Sequence, residues 1–126
     1  MTNKNKNYKF DVIIIGAGVI GLAIGQALQK KYNNILIIDK ESSFGRHISS
    51  RNSEVIHSGI YYKPNTLKAK LCTKGNKMMY DFCHKYAIPY NNCGKLIVAQ
   101  NKEEIKKINK LLINGKKNGL SNLNII

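Results

Sequence analysis

Asp11-Val12-Ile13-Ile14-Ile15-Gly16-Ala17-Gly18-Val19-Ile20-Gly21-Leu22-Ala23-Ile24-Gly25, followed after a polar gap by Ile35-Leu36-Ile37-Ile38-Asp39, is the stretch from which the fold is read. Val12 to Ile15 is a short β-branched run, which suits a strand buried on both faces of a parallel sheet. Gly16, Gly18 and Gly21 follow in the spacing G-x-G-x-x-G. In that spacing the first glycine makes the tight turn off the strand and the second lets a pyrophosphate approach the backbone. The third lets the helix pack closely on the sheet. The free N–H groups and dipole of the helix N-terminus then favour a phosphate. A glycine triplet alone is weak. Here a strand precedes it, a helix follows, and a second strand ends in Asp39, about 20 residues on, where a carboxylate is expected to meet ribose hydroxyls. The pattern predicts a βαβ unit carrying a dinucleotide site; the competing reading is an ordinary βαβ turn that merely uses glycine.

Around that unit, the 126 residues suit one domain with a modest core rather than two. A hydrophobic content of 43% with clear periodicity argues for a folded chain. The charge of +14, from 21 Lys+Arg against 7 Asp+Glu, would ordinarily point to nucleic acid or an anionic surface. Its distribution argues otherwise: lysines are scattered through every segment among asparagines, with no arginine-rich stripe, so no nucleic-acid partner is expected. Arg46 and Arg51 are the only arginines. A planar fork for phosphate or carboxylate is the physical reason to keep guanidinium where lysine is the default.

Cys72, Cys83 and Cys93 are odd in number and lack C-x-x-C spacing. Neither a disulfide framework nor a zinc site follows, and a reducing, cytoplasmic compartment is expected. Lys4, Lys6 and Lys9 imitate the start of a signal peptide, but Asp11 interrupts the apolar run and no cleavage site stands out. No run reaches the ~20 apolar residues that span a bilayer, which leaves only peripheral membrane contact open.

Taken in order, Met1 to Tyr8 reads as a polar, frayed tail. A strand is expected over Phe10–Ile15 and a helix from Val19 to about Lys31, with Ile20, Ala23, Ile24, Ala27 and Leu28 toward the sheet and Gly25 permitting close approach. Tyr32-Asn33-Asn34 makes a turn before a strand over Ile35–Asp39. Lys40 to Tyr62 is a loop crowded with hydrogen-bonding side chains, the kind of segment that carries binding residues on a rigid scaffold; a plain polar surface loop is the alternative. Thr66 caps a helix to about Tyr86, with Leu67, Leu71, Met78, Met79, Phe82 and Tyr86 as its core face. Gly94 opens a turn into a strand over Lys95–Ala99. Asn101 and Glu104 form a capping box for a helix to about Lys117, with Ile105, Ile108, Leu111 and Leu112 inward and Gly119 as its stop. Leu120 to Ile126 has the look of a strand beginning.

The segment Arg51-Asn52-Ser53-Glu54-Val55-Ile56-His57-Ser58-Gly59-Ile60-Tyr61-Tyr62, with Lys63-Pro64 and Leu67-Lys68-Ala69 after it, closely resembles the L-2-hydroxyglutarate dehydrogenase/oxidase family. These are flavoenzymes of the D-amino-acid-oxidase-like superfamily. Ile88-Pro89-Tyr90 and Cys93-Gly94-Lys95-Leu96-Ile97-Val98-Ala99 extend the resemblance over nearly the whole chain. Many members have glycine where Glu54 stands, and oxidoreductases with glutamate there are less certain in substrate.

The resemblance implies FAD rather than NAD. Gly16, Gly18 and Gly21 would hold its pyrophosphate, and Asp39 with Lys40 its adenosine ribose. His47, Ser49, Ser50, Arg51, Asn52 and Ser53 would run beside the flavin and its ribityl-phosphate arm. His57 would lie near the isoalloxazine or the substrate carboxylate; a histidine bonded to backbone under the loop is the alternative. The implied reaction is oxidation of a small-molecule 2-hydroxy acid, L-2-hydroxyglutarate above all, to the 2-oxo acid. Hydride goes to flavin while a base takes the hydroxyl proton.

The implied fold class is α/β: residues 1–90 are the βαβ opening of a Rossmann-like FAD-binding domain, and residues 91–126 begin a substrate domain. Two parallel strands and one helix cannot bury both faces of a sheet. The expectation is therefore an incomplete fold, an N-terminal fragment that a second chain could complete. A non-catalytic dinucleotide-binding subunit and a basic nucleic-acid binder are the readings from other classes.

Overall fold

The computed structural model describes residues 7–126. Residues 1–6, most of the expected polar tail, lie outside the described residues. The chain divides between Glu54 and Val55 into two compact units.

The first unit holds β1 (Val12–Ile15), α1 (Val19–Leu28), β2 (Ile35–Ile38) and a 3-10 turn over His47–Ser49. β1 and β2 pair in parallel, Val12 with Ile35 through Ile15 with Ile38. This is the expected α/β arrangement. β1 starts two residues later than expected, because Asp11 is spent on the connection: its N–H donates to the carbonyl of Asn34 at 2.9 Å, and its carboxylate accepts from the Asn34 N–H at 3.2 Å. α1 stops at Leu28, short of Lys31, where the N–H groups of Lys31 and Tyr32 both turn back to the Leu28 carbonyl.

The face that α1 lays on the sheet differs from the expected one. Ile20, Ala23, Ile24 and Ala27 are exposed, and the sheet side carries Gly18, Gly21, Gly25 and the half-buried Leu28. A β-carbon at Gly25 would stand 2.8 Å from Ile37 Cδ1 and 3.5 Å from Ile14 Cδ1. A helix set this close needs glycine at the contact, so Gly21 and Gly25 take the sheet side in place of the larger apolar row. The pleat sends alternate side chains to the other face, where Ile13 and Ile15 are 56% and 85% exposed. β1 is thus covered on one face rather than two within its own unit, which holds a single α-helix.

The second unit holds α2 (Leu67–Lys85) and α3 (Lys102–Lys117). Both N-cap side chains bond as expected, while the return bond from Glu104 reaches the residue before the cap rather than Asn101 itself. Thr66 accepts from the Ala69 N–H, Asn101 Oδ1 accepts from the Glu104 N–H at 2.9 Å, and Glu104 Oε2 accepts from the Gln100 N–H at 2.8 Å. α2 is turned away from its expected core face. Its covered residues are Ala69, Cys72, Thr73, Asn76, Tyr80 and Cys83, whereas Leu67, Leu71, Met78, Met79, Phe82 and Tyr86 are exposed. Hydrogen bonds decide this orientation. Asn76 Nδ2 donates to the carbonyls of Ile56 and His57, and Cys72 Sγ donates to His57 O, laying the segment before α2 along that polar side.

On α3, Ile108, Leu111 and Leu112 are half-buried as expected, but Ile105 is exposed. Residues 95–99 and 120–126 form no strand. A strand needs a ladder partner, and none is supplied among the described residues. Instead Lys95 Nζ lies 4.6 Å from the Tyr61 ring centroid, and Tyr80 Oη meets Asn92 Oδ1 at 3.2 Å. No helix among the described residues is long and apolar enough to cross a membrane.

Candidate functional site

Of the residues singled out in the first unit, Asp39 and Ser49 meet the glycine turn between β1 and α1. Gly16 leaves the strand with φ of 109°, a backbone that glycine tolerates, and its N–H donates to Ile38 O at 2.7 Å. The loop is then tied to β2 and to the segment after it. Asp39 Oδ2 accepts the Ala17 N–H at 2.6 Å, Asp39 Oδ1 accepts the Glu41 N–H at 2.9 Å, and the Ala17 carbonyl accepts the Gly45 N–H at 2.9 Å. The Asp39 carboxyl is held below its ordinary value, first by the Glu41 N–H and then by that of Ala17. Desolvation opposes them, and the charges of Lys40 and His47 add smaller lowering contributions. Oδ2 of Asp39 therefore braces the glycine loop and Oδ1 the turn after β2, with lone pairs left for a further donor.

Ser49 closes the other side. Its Oγ accepts the Val19 N–H, the first of α1, at 3.0 Å, and a β-carbon at Gly18 would stand 3.0 Å from that same oxygen. Gly21 sits over the turn, where a β-carbon would collide with the Gly16 carbonyl. The helix N-terminus is thus reached by one hydroxyl and otherwise lined by glycine backbone, with first-turn N–H groups that have no intrahelical partner.

The rest of the donor-rich loop sorts by contact. His47, with φ of 58°, places Nε2 2.8 Å from Glu41 Oε1. Ser50 Oγ donates to His47 O at 3.2 Å. Asn52 Nδ2 donates to Ile48 O at 3.1 Å, and Asn52 Oδ1 accepts the Glu54 N–H at 2.8 Å. Ser50 and Asn52 thus bind the loop to itself. Lys40, Arg46, Arg51 and Ser53 are exposed. Glu41 is the residue that sequence reading missed. The available signal was of the kind that marked the arginines, since an acid retained in a chain of +14 beside a strand end has a reason to be there.

His57 belongs to the second unit. Its carbonyl is held by Cys72 Sγ at 3.4 Å and by Asn76 Nδ2 at 3.2 Å, while the residue is exposed. The backbone is anchored and the ring is not what anchors it.

The sequence model of a family described as "FAD dependent oxidoreductase" (DAO) matches residues 11–125. The chain is 50% identical over 119 residues to the mitochondrial L-2-hydroxyglutarate dehydrogenase of Dictyostelium discoideum, which covers 93% of this chain and 27% of that protein. It is 48% identical over 118 residues to the protein of the same name from Arabidopsis thaliana, covering 94% and 24%. The Bos taurus protein is 45% identical over 119 residues, covering 93% and 26%. The chain spans about a quarter of the length of the curated relatives it matches. Mitochondrial is what those names say of those proteins.

Proposed function

The chain belongs to the DAO family of FAD-dependent oxidoreductases, and from that membership we propose that its glycine loop holds FAD in a protein that oxidises L-2-hydroxyglutarate, or a close 2-hydroxy acid, to the 2-oxo acid. One observation carries the reading: the G-x-G-x-x-G turn stands on the α1 N-terminus between two parallel strands, inside a family match that runs from residue 11 to 125.

The residues fit the cofactor. A β-carbon at Gly18 would crowd Ser49 Oγ in the space that a pyrophosphate needs beside the backbone, and one at Gly21 would break the close packing of α1 on the turn that shapes that space. Gly16, Gly18 and Gly21 hold the pyrophosphate through bare backbone, and Ser49 adds a hydroxyl. Asp39 and Lys40 take the ribose end, where the spare lone pairs of Asp39 accept hydroxyl protons. His47, Ser50, Arg51, Asn52 and Ser53 line the arm toward the flavin, with Arg51 supplying charge against phosphate. When bound, FAD supplies the acceptor for the hydride that leaves the substrate α-carbon. His57, its backbone clamped, takes the hydroxyl proton at a ring nitrogen. Residues 1–90 are assigned to the FAD-binding domain and 91–126 to the start of a substrate domain.

A second reading, a non-catalytic dinucleotide-binding subunit that a partner completes, is favoured by one feature, the uncovered face of Ile13 and Ile15. Titration of the purified chain with FAD, followed by quenching of flavin fluorescence, tests the cofactor. Saturable quenching that Gly18→Ala abolishes and NAD does not compete supports it, and binding of NAD in preference to FAD overturns it. Turnover of L-2-hydroxyglutarate in the completed protein, lost in His57→Ala with flavin retained, separates the enzyme from the subunit.

A further inference from the structure

We propose that Asn118, the residue that closes α3, is a positioning residue for the segment His57–Tyr62, fixing the backbone that carries the His57 ring. The proposal rests on the reading of His57 as the base and goes beyond it, because it brings the far end of the second unit to bear on the site. Asn118 Nδ2 donates to Gly59 O at 3.0 Å and to Tyr62 O at 2.9 Å, and both bonds are partly buried. One amide group thereby spans the turn in which the Tyr62 N–H donates to Gly59 O at 3.2 Å. The turn is gripped from two sides. Gly59 is buried with φ of 90°, and a β-carbon there would stand 3.1 Å from Thr73 Cγ2 of α2. On the other side, a β-carbon at Gly115 of α3 would stand 3.3 Å from Ile60 Cγ1.

The segment is held by its carbonyls. Asn76 takes those of Ile56 and His57, Cys72 also takes that of His57, and Asn118 takes those of Gly59 and Tyr62. His57 and Tyr61 themselves are exposed. A stretch with no strand or helix of its own must find partners for its backbone groups, and here side chains supply them, so the backbone is fixed while His57 stays open to a substrate. Asn118 is itself firmly mounted, since its N–H donates to Asn114 O at 2.9 Å and to Gly115 O at 3.1 Å. Backbone bonds therefore end α3, and the Asn118 amide is left for the segment. A base works only within hydrogen-bond reach of the proton it takes, and a misplacement of about 1 Å costs on the order of a hundredfold in rate. The amide of Asn118 acts through that placement and not by touching the substrate.

The test makes Asn118→Asp and the milder Asn118→Ala in the full chain, with helix content checked by circular dichroism. Carbonyl carbon shifts of Gly59 and Tyr62, read by nuclear magnetic resonance, report the two bonds directly, and amide exchange at Tyr62 reports the turn. Both shifts are expected to move, and exchange at Tyr62 to quicken by about tenfold, while exchange in the middle of α2 stays as it was. Asn114→Asp puts the same charge in the last turn of α3 and controls for its dipole; it leaves the Gly59 and Tyr62 shifts in place. In the completed protein, Asn118→Ala is expected to lower kcat for L-2-hydroxyglutarate by about tenfold or more, with KM little changed and flavin retained. Unmoved carbonyl shifts overturn the proposal, and so does an unchanged kcat in a variant whose shifts have moved. If His57→Ala leaves turnover intact, the reading of His57 as base fails instead, and the carbonyl shifts alone decide whether Asn118 places the segment.

Discussion

The N–H of Ala17 donates to Asp39 Oδ2 at 2.6 Å, which ties the middle of the glycine loop to the end of β2. Asp39 also accepts from Glu41, and these two N–H groups, Glu41 first, hold its carboxyl below the ordinary value. A group whose folded pKa is depressed adds stability above its unfolded pKa, and that contribution is lost as pH falls through the folded value. Asp39→Asn is therefore expected to unfold more readily than the unmodified chain at neutral pH. The two should converge as pH drops below about 4. Urea midpoints taken across that range check it; a constant gap would remove the ionised carboxylate from the explanation.

The glycines of α1 should differ in what replacement costs. At Gly21 a β-carbon meets the backbone carbonyl of Gly16, which cannot rotate aside, whereas at Gly25 it meets the flexible end of Ile37. Gly21→Ala is expected to destabilise the first unit by about 2–3 kcal/mol and Gly25→Ala by about 1 kcal/mol. Equal losses in denaturant unfolding would mean that the loop backbone gives way as easily as a side chain.

The parts of the fold legible in the sequence were those set by local chemistry. The βαβ order, the Thr66 and Asn101 caps and the stop at Gly119 each depend on a few neighbouring residues, and each stands where it was expected. Facing was harder to read. Periodicity marks Leu67, Leu71 and Met78 as one row but cannot say whether an Asn76 hydrogen bond will claim the other side of α2. The same holds for α1, where larger apolar residues lost the sheet to glycine because contact distance, not apolar size, decided. Within the site, the glycine loop and Asp39 were legible as a set, while Glu41 emerged only from its contact with His47.

Glu54 holds φ of 55° with its N–H donating to Asn52 Oδ1 at 2.8 Å. A side chain in the left-handed region is strained by about 1–2 kcal/mol, and glycine is not. Part of that gain is offset by the greater freedom of glycine in the unfolded chain. Glu54→Gly is expected to stabilise the chain by about 0.5–1 kcal/mol, read as a rise in the unfolding midpoint. A fall would show that the glutamate side chain makes a compensating interaction.

α2 and α3 end in the same hydrogen-bond pattern built on different residues. After α3, the Leu120 N–H donates to Gly115 O at 3.0 Å and the Gly119 N–H to Lys116 O at 3.0 Å, with Gly119 at φ of 86°. After α2, the Ile88 N–H donates to Cys83 O at 2.9 Å and the Ala87 N–H to His84 O at 3.3 Å, with Ala87 at φ of 52°. Both are the paired terminal bonds in which a left-handed residue follows the helix and satisfies its last carbonyls. Glycine occupies that place without a β-carbon penalty, and alanine does not. Opposite substitutions should therefore have opposite signs. Ala87→Gly is expected to stabilise the second unit by about 0.5–1 kcal/mol, and Gly119→Ala to destabilise it by about 1 kcal/mol. Amide exchange at Ile88 and Leu120 reads each helix end separately from the rest of the chain. Slower exchange at Ile88 in the first variant and faster exchange at Leu120 in the second is the expected pair. The same sign in both would mean that contacts elsewhere in the second unit, not the terminal residue, set the stability of these ends.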